Sequence, residues 1–146
     1  MIKKVLVVCV GNICRSPTAA WLLENHVRAN EIQVRSAGLA ALTGQDIEPR
    51  ARHVLEEQGH RPTVHQARQL TAVLVNQADL ILVMERRHVQ GVLTLSPEAR
   101  GKVFLLGNWQ ARREIADPYG QGRAAFVHAY HLIEQAVSAW ALRLVR

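Results

Sequence analysis

A cysteine and an arginine, Cys9 and Arg15, enclose five residues directly after an apolar run near the start of the chain. Gly11 and Asn12 lie between them, and both residue types tolerate the backbone angles that turn several N–H groups toward one point. Such a loop can bind a tetrahedral oxyanion, because its N–H groups and the arginine all present positive charge. The spacing therefore predicts an anion-binding loop with a thiol beneath the bound group.

Ser16 and Pro17 follow the arginine and predict the start of a helix, with Ser16 as N-cap and Pro17 as the first helical residue. The positive end of this helix would face the loop. A nucleotide-binding P-loop would end in Gly-Lys-Ser/Thr, which this segment lacks, so that motif is excluded.

The loop suits phosphoryl transfer to sulfur. Converging amides, a helix N-terminus and a guanidinium favour the thiolate form of a cysteine, which is the nucleophile. Attack by Cys9 on a phosphate would give a phosphocysteine intermediate. The planar fork of Arg15 can bind two phosphoryl oxygens in the transition state. Cys9 and Cys14 lack the further ligands of a zinc site, so we expect no metal and no cofactor.

Hydrolysis of this kind needs a general acid to protonate the leaving oxygen and then a base to activate water. Asp117 is the candidate, because Pro118 disfavours helix at the residue before it and so places Asp117 in a loop. An isolated Asp-Pro pair is typical of an ordinary turn. Beside the cysteine loop, the catalytic interpretation is the better one.

The segments Cys9-Val10-Gly11-Asn12-Ile13-Cys14-Arg15-Ser16-Pro17 and Asp117-Pro118-Tyr119 together resemble the low-molecular-weight protein tyrosine phosphatases over essentially the whole chain. The resemblance implies that Cys9 is the nucleophile, that Arg15 binds phosphate and that Asp117 is the general acid. It also implies that the substrate phosphate is bound by the whole loop, which comprises Val10, Gly11, Asn12, Ile13, Cys14, Arg15 and Ser16.

The same resemblance implies supporting roles for other residues. Asn12, Ser16, Ser36 and His65 resemble the residues that hold the loop in shape. A strand-end serine and an exposed histidine are equally open interpretations of Ser36 and His65. The resemblance further suggests that Cys9 and Cys14 form a reversible disulfide.

A deep cleft with apolar walls would favour phosphotyrosine over the shorter phosphoserine, and the candidate walls are Leu39, Leu42 and Tyr119. The chain lacks the first-loop tryptophan and the second tyrosine after Asp-Pro that eukaryotic members have. It is similar instead to the bacterial branch that acts with tyrosine autokinases in capsule and exopolysaccharide export. The implied partner is a phosphotyrosine protein, a membrane-bound autokinase with a tyrosine-rich tail.

The chain has 146 residues, 49% of them hydrophobic, which predicts one domain over residues 1–146. The longest apolar run, 5–10, is too short to span a bilayer, so we expect no membrane insertion. We expect no signal peptide, because Lys3 and Lys4 lead directly into the first strand. Two cysteines suggest a reducing compartment, and the predicted location is the cytoplasm. We expect a monomer.

The net charge is +6, and 15 of the 18 basic residues are arginines. Basic proteins often bind nucleic acid. Here the basic residues are scattered and aromatic residues make up only 5%, which indicates no stacking platform. An anionic phosphopeptide explains the charge equally well, and we expect no nucleic-acid partner.

Two alternatives remain open. Arsenate reductases resemble this family in fold and in the Cys-loop-Arg element, but the chain has no third cysteine for an internal electron relay. A non-catalytic phosphate- or nucleic-acid-binding module would be distinguished by its failure to hydrolyse p-nitrophenyl phosphate.

Strand and helix patterns alternate along the chain, which predicts an α/β fold: a doubly wound sheet of about four parallel strands flanked by helices, with the phosphate-binding loop after the first strand. The predicted strands are 3–9, 32–36, 80–84 and 102–106. Predicted helices are 18–29, 46–59, 70–77, 87–93 and a last one whose apolar stripe is Phe126, Tyr130, Ile133, Val137, Trp140 and Leu144.

Overall fold

Four parallel strands form one sheet in residues 1–145, the part of the chain that the computed structural model describes. Their order across the sheet is β2-β1-β3-β4. The strands are β1 (Lys4–Cys9), β2 (Gln33–Gly38), β3 (Leu80–Val83) and β4 (Val103–Leu105). The predicted parallel sheet is therefore confirmed, with strand ends that differ from the expected ones by no more than two residues.

Five α-helices accompany the sheet, one for each predicted helical pattern. They are α1 (Arg15–Val27), α2 (Pro49–Glu57), α3 (Ala72–Gln77), α4 (Arg86–Leu95) and α5 (Arg123–Leu144). Short 3₁₀ helices cover Arg28–Asn30 and Pro97–Lys102.

Alternate residues of the strands enter two separate hydrophobic cores. In β1, Val5, Val7 and Cys9 join the core that contains α1, α2 and α5, whereas Leu6 and Val8 join the core with α3 and α4. Because both faces of the sheet are covered, the central strands β1 and β3 are continuous apolar runs from Val5 and from Leu80 rather than alternating ones. Helices on both faces confirm the predicted doubly wound arrangement.

Helix α5 presents its predicted apolar stripe to the first core. The stripe members Phe126, Tyr130, Ile133, Val137 and Trp140 are buried, and Leu144 packs against the core while partly exposed. The stripe is therefore core, as predicted.

Helix α1 begins three residues before the predicted range, at Arg15, and the prediction that Ser16 caps it was wrong. Cys14 holds the N-cap position and makes no side-chain capping bond. The Ser16 hydroxyl lies in the first turn and instead contacts the Cys9 thiol and the Asn12 amide. Ser16 is fully buried, and because a buried hydroxyl needs a hydrogen-bond partner, it bonds to polar atoms of the loop.

The strand order creates a crevice at the carboxyl ends of β1 and β3, because the chain leaves β1 toward one edge and returns on the other side. In open α/β sheets this switch point is where ligands bind. Cys9 ends β1, and Glu85 follows β3 by two residues. The predicted loop therefore lies at the expected place for a site.

Candidate active site

The loop after β1 turns its backbone carbonyl groups outward. Four of them accept hydrogen bonds of 2.8–3.0 Å from N–H groups of segment 39–48, namely those of Cys9, Val10, Gly11 and Ile13. Within residues 1–145, the N–H groups of 11–14 donate to no backbone carbonyl. These N–H groups are thus free to bind an anion that the loop encloses.

Asn12 fixes the shape of this loop from within. It is fully buried and adopts a left-handed backbone conformation with φ of +58°. Its Nδ2 donates to Ser16 Oγ at 2.8 Å and to Ser36 Oγ at 3.0 Å, and its Oδ1 accepts the Arg68 N–H at 2.9 Å. Its carbonyl lies 2.6 Å from His65 Nε2. The four residues expected to support the loop therefore lie together.

Ser16 connects this network to the thiol. The distance between Ser16 Oγ and Cys9 Sγ is 2.9 Å. Asn12 Nδ2 can only donate, so the Ser16 oxygen accepts that bond and its own hydrogen is free to point at sulfur. A hydroxyl donating to Cys9 stabilises the thiolate over the thiol.

Arg15 is almost completely buried, at 1% exposure, and protein groups hold one edge of its guanidinium. Nη1 donates to Glu85 Oε2 at 2.6 Å and to the Ile115 carbonyl at 2.8 Å. Nε has no hydrogen-bond partner among the described residues, and Nη2 lies 3.7 Å from Asp117 Oδ2. The edge formed by Nε and Nη2 is thus available to two oxygens of a phosphoryl group.

Glu85 positions Arg15 from the end of β3. Its carboxylate accepts hydrogen bonds from Arg15 and from Arg87. Partial burial acts to raise the pKa of Glu85, but the hydrogen bonds from Arg87 and Arg15 outweigh it and lower the pKa to about 2. Glu85 is therefore negatively charged at neutral pH and neutralises the buried guanidinium.

His88 completes the support of Glu85. Its Nδ1 accepts the Glu85 N–H at 3.2 Å, so the proton of the neutral ring is on Nε2, 3.6 Å from Glu85 Oε2. Burial, and then the charge of Arg15, lower the pKa of His88 to about 4. The ring is thus neutral in the folded protein near pH 7.

Asp117 faces the loop from the opposite side of the crevice. The Ile115 N–H donates to the Met84 carbonyl at 3.0 Å, which fixes this segment to the end of β3. Asp117 Oδ1 accepts the Tyr119 N–H at 3.0 Å, and Oδ2 points toward Arg15. One carboxylate oxygen therefore remains available to a leaving group.

A pocket of about 180 Å³ joins these groups, and its walls are partly apolar. Leu42 and Tyr119 line it as expected, but the prediction for Leu39 was wrong. Leu39 lies in the turn after β2, and its side chain packs against the second core beside Gly91 of α4. The full lining is Cys9, Val10, Gly11, Ile13, Cys14, Arg15, Ala40, Leu42, Asp117 and Tyr119.

Cys14 is buried, with only 6% exposure. Burial raises the pKa of its thiol, and the charge of Asp117 acts in the same direction. Cys14 is therefore a protonated thiol at neutral pH.

Sequence reasoning missed Glu85, His88 and Arg68. An acidic residue directly after the buried run of β3 was a usable signal for Glu85, since the carboxyl ends of parallel strands meet at the site. Nothing in the sequence marked Arg68, because its contribution is a backbone N–H. Within residues 1–145, no three His, Cys, Asp or Glu side chains are grouped to bind a metal ion.

Several known proteins are similar to this chain in sequence and in fold. The family model for low molecular weight phosphotyrosine protein phosphatase matches residues 4–146. The chain is 46% identical over 144 residues to the low molecular weight protein-tyrosine-phosphatase Wzb of Salmonella typhimurium, covering 99% of this chain and 95% of that protein.

Two solved structures extend the comparison. Vibrio vulnificus Wzb in complex with benzylphosphonate has 45% identity and a TM-score of 0.94, covering 99% of this chain and all of the other. The YwlE arginine phosphatase from Geobacillus stearothermophilus has 33% identity and a TM-score of 0.90, covering 97% of this chain and 92% of the other. With a match over nearly its whole length, the chain belongs to the low molecular weight phosphotyrosine protein phosphatase family.

Proposed function

We propose that the protein is a cysteine-dependent protein-tyrosine phosphatase that hydrolyses phosphotyrosine through a phosphocysteine intermediate. The observation that carries the proposal is the meeting of three groups at one pocket: the Cys9 thiol, the free edge of the Arg15 guanidinium and the Asp117 carboxyl. Membership of the family supports the same assignment.

In the first step, the Cys9 sulfur attacks phosphorus while the bond to the tyrosyl oxygen breaks. The loop N–H groups and the Nε and Nη2 edge of Arg15 bind the three other phosphoryl oxygens, whose charge rises in the transition state. Asp117, in its protonated form, gives its proton to the leaving oxygen. The products are a phosphocysteine and a free tyrosine hydroxyl.

In the second step, water attacks the phosphocysteine. Asp117, now a carboxylate, takes the proton from that water, and sulfur leaves as a thiolate. The hydroxyl of Ser16 stabilises the departing thiolate by its hydrogen bond. Inorganic phosphate is released and the enzyme returns to its starting state.

The shape of the pocket supports phosphotyrosine as the substrate. Ile13, Leu42 and Tyr119 offer apolar surface to a phenyl ring, while the phosphoryl group reaches the loop below. A phosphoserine side chain is too short to bridge that depth. A phosphoarginine side chain would bring a charged guanidinium against apolar atoms, which costs desolvation energy.

We further propose that the partner is a membrane-bound bacterial tyrosine autokinase with a tyrosine-rich tail, and that the pathway is capsule or exopolysaccharide production. The single tyrosine after Asp117-Pro118 and the arginine-rich composition support this proposal. No helix in the described residues is long and apolar enough to cross a membrane. We propose a monomer acting in the cytoplasm.

The test compares kcat/KM for three peptides of one sequence that carry phosphotyrosine, phosphoserine or phosphoarginine. We expect phosphotyrosine to be preferred by roughly a hundredfold or more, since a phenyl ring contributes binding energy that the others lack. Leu42→Ala should narrow that preference, whereas Leu142→Ala, which truncates an exposed leucine on α5, should not. Comparable values for all three peptides would contradict the proposal.

A further inference from the structure

A groove of about 650 Å³ lies behind the catalytic loop and shares no lining residue with the pocket that contains Cys9. Helix α1, the edge strand β2 and the segment 62–68 form its walls. Three of its residues, Ser36, His65 and Arg68, also hold Asn12 in the catalytic loop. The groove is therefore separated from the active site by the loop itself.

The groove contains arginine charge that no acidic residue neutralises. Arg28 is paired with Glu24 at 2.8 Å, but Arg35 and Arg68 have no carboxylate within 4.0 Å among residues 1–145. Arg68 donates from Nε to the Ser36 carbonyl, which leaves its terminal nitrogens without a protein partner in the described part of the chain. Two unneutralised guanidiniums on one groove favour a doubly charged oxyanion.

The lining of the groove also includes apolar side chains, among them the aromatic ring of Trp21. Trp21 is half-buried, and its Nε1 donates to His60 Nδ1 at 3.2 Å, so the indole is held in place. Val64 is 79% exposed and Pro17 lies beside Trp21 in the wall. A flat ring can pack on this surface while a charged substituent reaches the arginines.

We propose that this groove, which we call the rear groove, binds a second phosphate monoester carried on an aromatic group. Its phosphoryl oxygens contact Arg35 and Arg68, and its ring packs against Trp21 and Val64. The identity of that group rests on the proposed function: it is a second phosphotyrosine of the tail whose first phosphotyrosine occupies the active site. The rear groove would thus retain multiply phosphorylated substrates.

The first test titrates the wild-type protein with benzylphosphonate, an arylmethyl phosphonate without a hydrolysable ester bond, and follows ¹H–¹⁵N NMR spectra. The Trp21 indole N–H and the amides of 63–65 report the rear groove, while the amides of 11–14 report the active site. We expect both sets to shift, with different dissociation constants. Shifts confined to the active site would overturn the proposal.

Two arginine variants make the assignment specific. Arg35→Ala should weaken rear-groove binding roughly tenfold and leave the active-site dissociation constant within about twofold, because it removes one charge-assisted contact. Arg100→Ala removes the same charge at an exposed position outside the groove and should change neither constant. If both variants weaken rear-groove binding equally, the binding depends only on general surface charge, and the proposal would be overturned.

The second test uses Cys9→Ser with singly and doubly phosphorylated tyrosine peptides of one sequence. Tighter binding of the doubly phosphorylated peptide, lost in Cys9→Ser/Arg35→Ala, supports the rear groove as a substrate subsite. Equal affinity of the two peptides would overturn it while leaving the proposed phosphatase function intact. Failure of both peptides to bind the active site would instead contradict the proposed function.

Discussion

Cys9 and Cys14 belong to one loop and are both buried, but their contacts differ. The Cys9 sulfur lies at the base of the pocket and contacts the Ser16 hydroxyl. For Cys14, burial followed by the charge of Asp117 raises the pKa of the thiol. We therefore propose Cys9 as the nucleophile and expect Cys14 to be dispensable for turnover.

The same pair supports a prediction about oxidation. Peroxide converts a reactive thiolate to a sulfenic acid, and a nearby thiol can then displace water to form a disulfide. We expect wild-type activity to return when dithiothreitol follows a brief peroxide pulse. Cys14→Ser should have normal activity before the pulse and recover less after it. Recovery as complete as that of the wild type would show that Cys14 gives no protection.

The rate loss caused by removing the Asp117 carboxyl should increase with the basicity of the leaving group. Asp117→Ala should slow hydrolysis of phenyl phosphate by roughly a hundredfold or more, because the departing phenolate then receives no proton. The loss should be much smaller for p-nitrophenyl phosphate, whose leaving group needs little protonation. Measuring kcat/KM for both substrates decides the matter, because this ratio reports only the first step, in which the leaving group departs. Equal slowing would indicate that Asp117 only shapes its turn.

Among the helices and strands, the sequence correctly predicted those that have a clear local pattern of apolar residues. The stripe of α5 and the continuous apolar run of β1 follow from burial alone, so both were predictable. The capping role of Ser16 and the wall role of Leu39 were mispredicted because both depend on contacts made only in the folded structure. The Ser16 hydroxyl bonds to Asn12 and lies against Cys9, and Leu39 packs beside Gly91.

The support behind the loop also depends on contacts between distant segments. A Cβ atom at Gly38 would lie 2.4 Å from the Val10 carbonyl, so β2 can end against the loop only with glycine there. Glu85 reaches Arg15 across a separation of 70 residues. The requirement for glycine at position 38 has no local signature in the sequence, whereas the place of Glu85 after the buried run of β3 was a usable signal.

The junction of β3 and α4 should make folding sensitive to mild acid. Because the pKa of His88 is lowered from 6.5 to about 4, the unfolded chain binds a proton between these values that the folded protein does not. The free energy of unfolding therefore falls as pH drops from about 6.5 toward 4, by on the order of 2–3 kcal/mol.

Urea unfolding of wild type and His88→Gln at several pH values would measure this effect. Glutamine at this position can still accept the Glu85 N–H and does not titrate, so the variant should show a shallower loss of stability. His128→Gln, which changes an exposed histidine, should retain the wild-type slope. Identical slopes for wild type and His88→Gln would contradict the role of His88.

For the whole molecule, the net charge of +6 is suited to a polyanionic partner. A tail with several phosphotyrosines carries about −1.5 to −2 charges at each one, so long-range attraction should speed association. We expect kcat/KM to be higher for a multiply than for a singly phosphorylated tyrosine peptide at low salt. The difference should shrink at high salt because ions screen the attraction. A difference that salt leaves unchanged would exclude steering by net charge.

The central claim is that phosphate passes through Cys9, and trapping the intermediate tests it most directly. Asp117→Ala, which also lacks the base for the second step, should accumulate the phosphoenzyme during turnover of p-nitrophenyl phosphate. Rapid quenching followed by peptide mass spectrometry should locate one phosphoryl group on Cys9, and none should be found when Cys9→Ala is added. A phosphoryl group on another residue, or turnover by Cys9→Ser at the wild-type rate, would contradict the account.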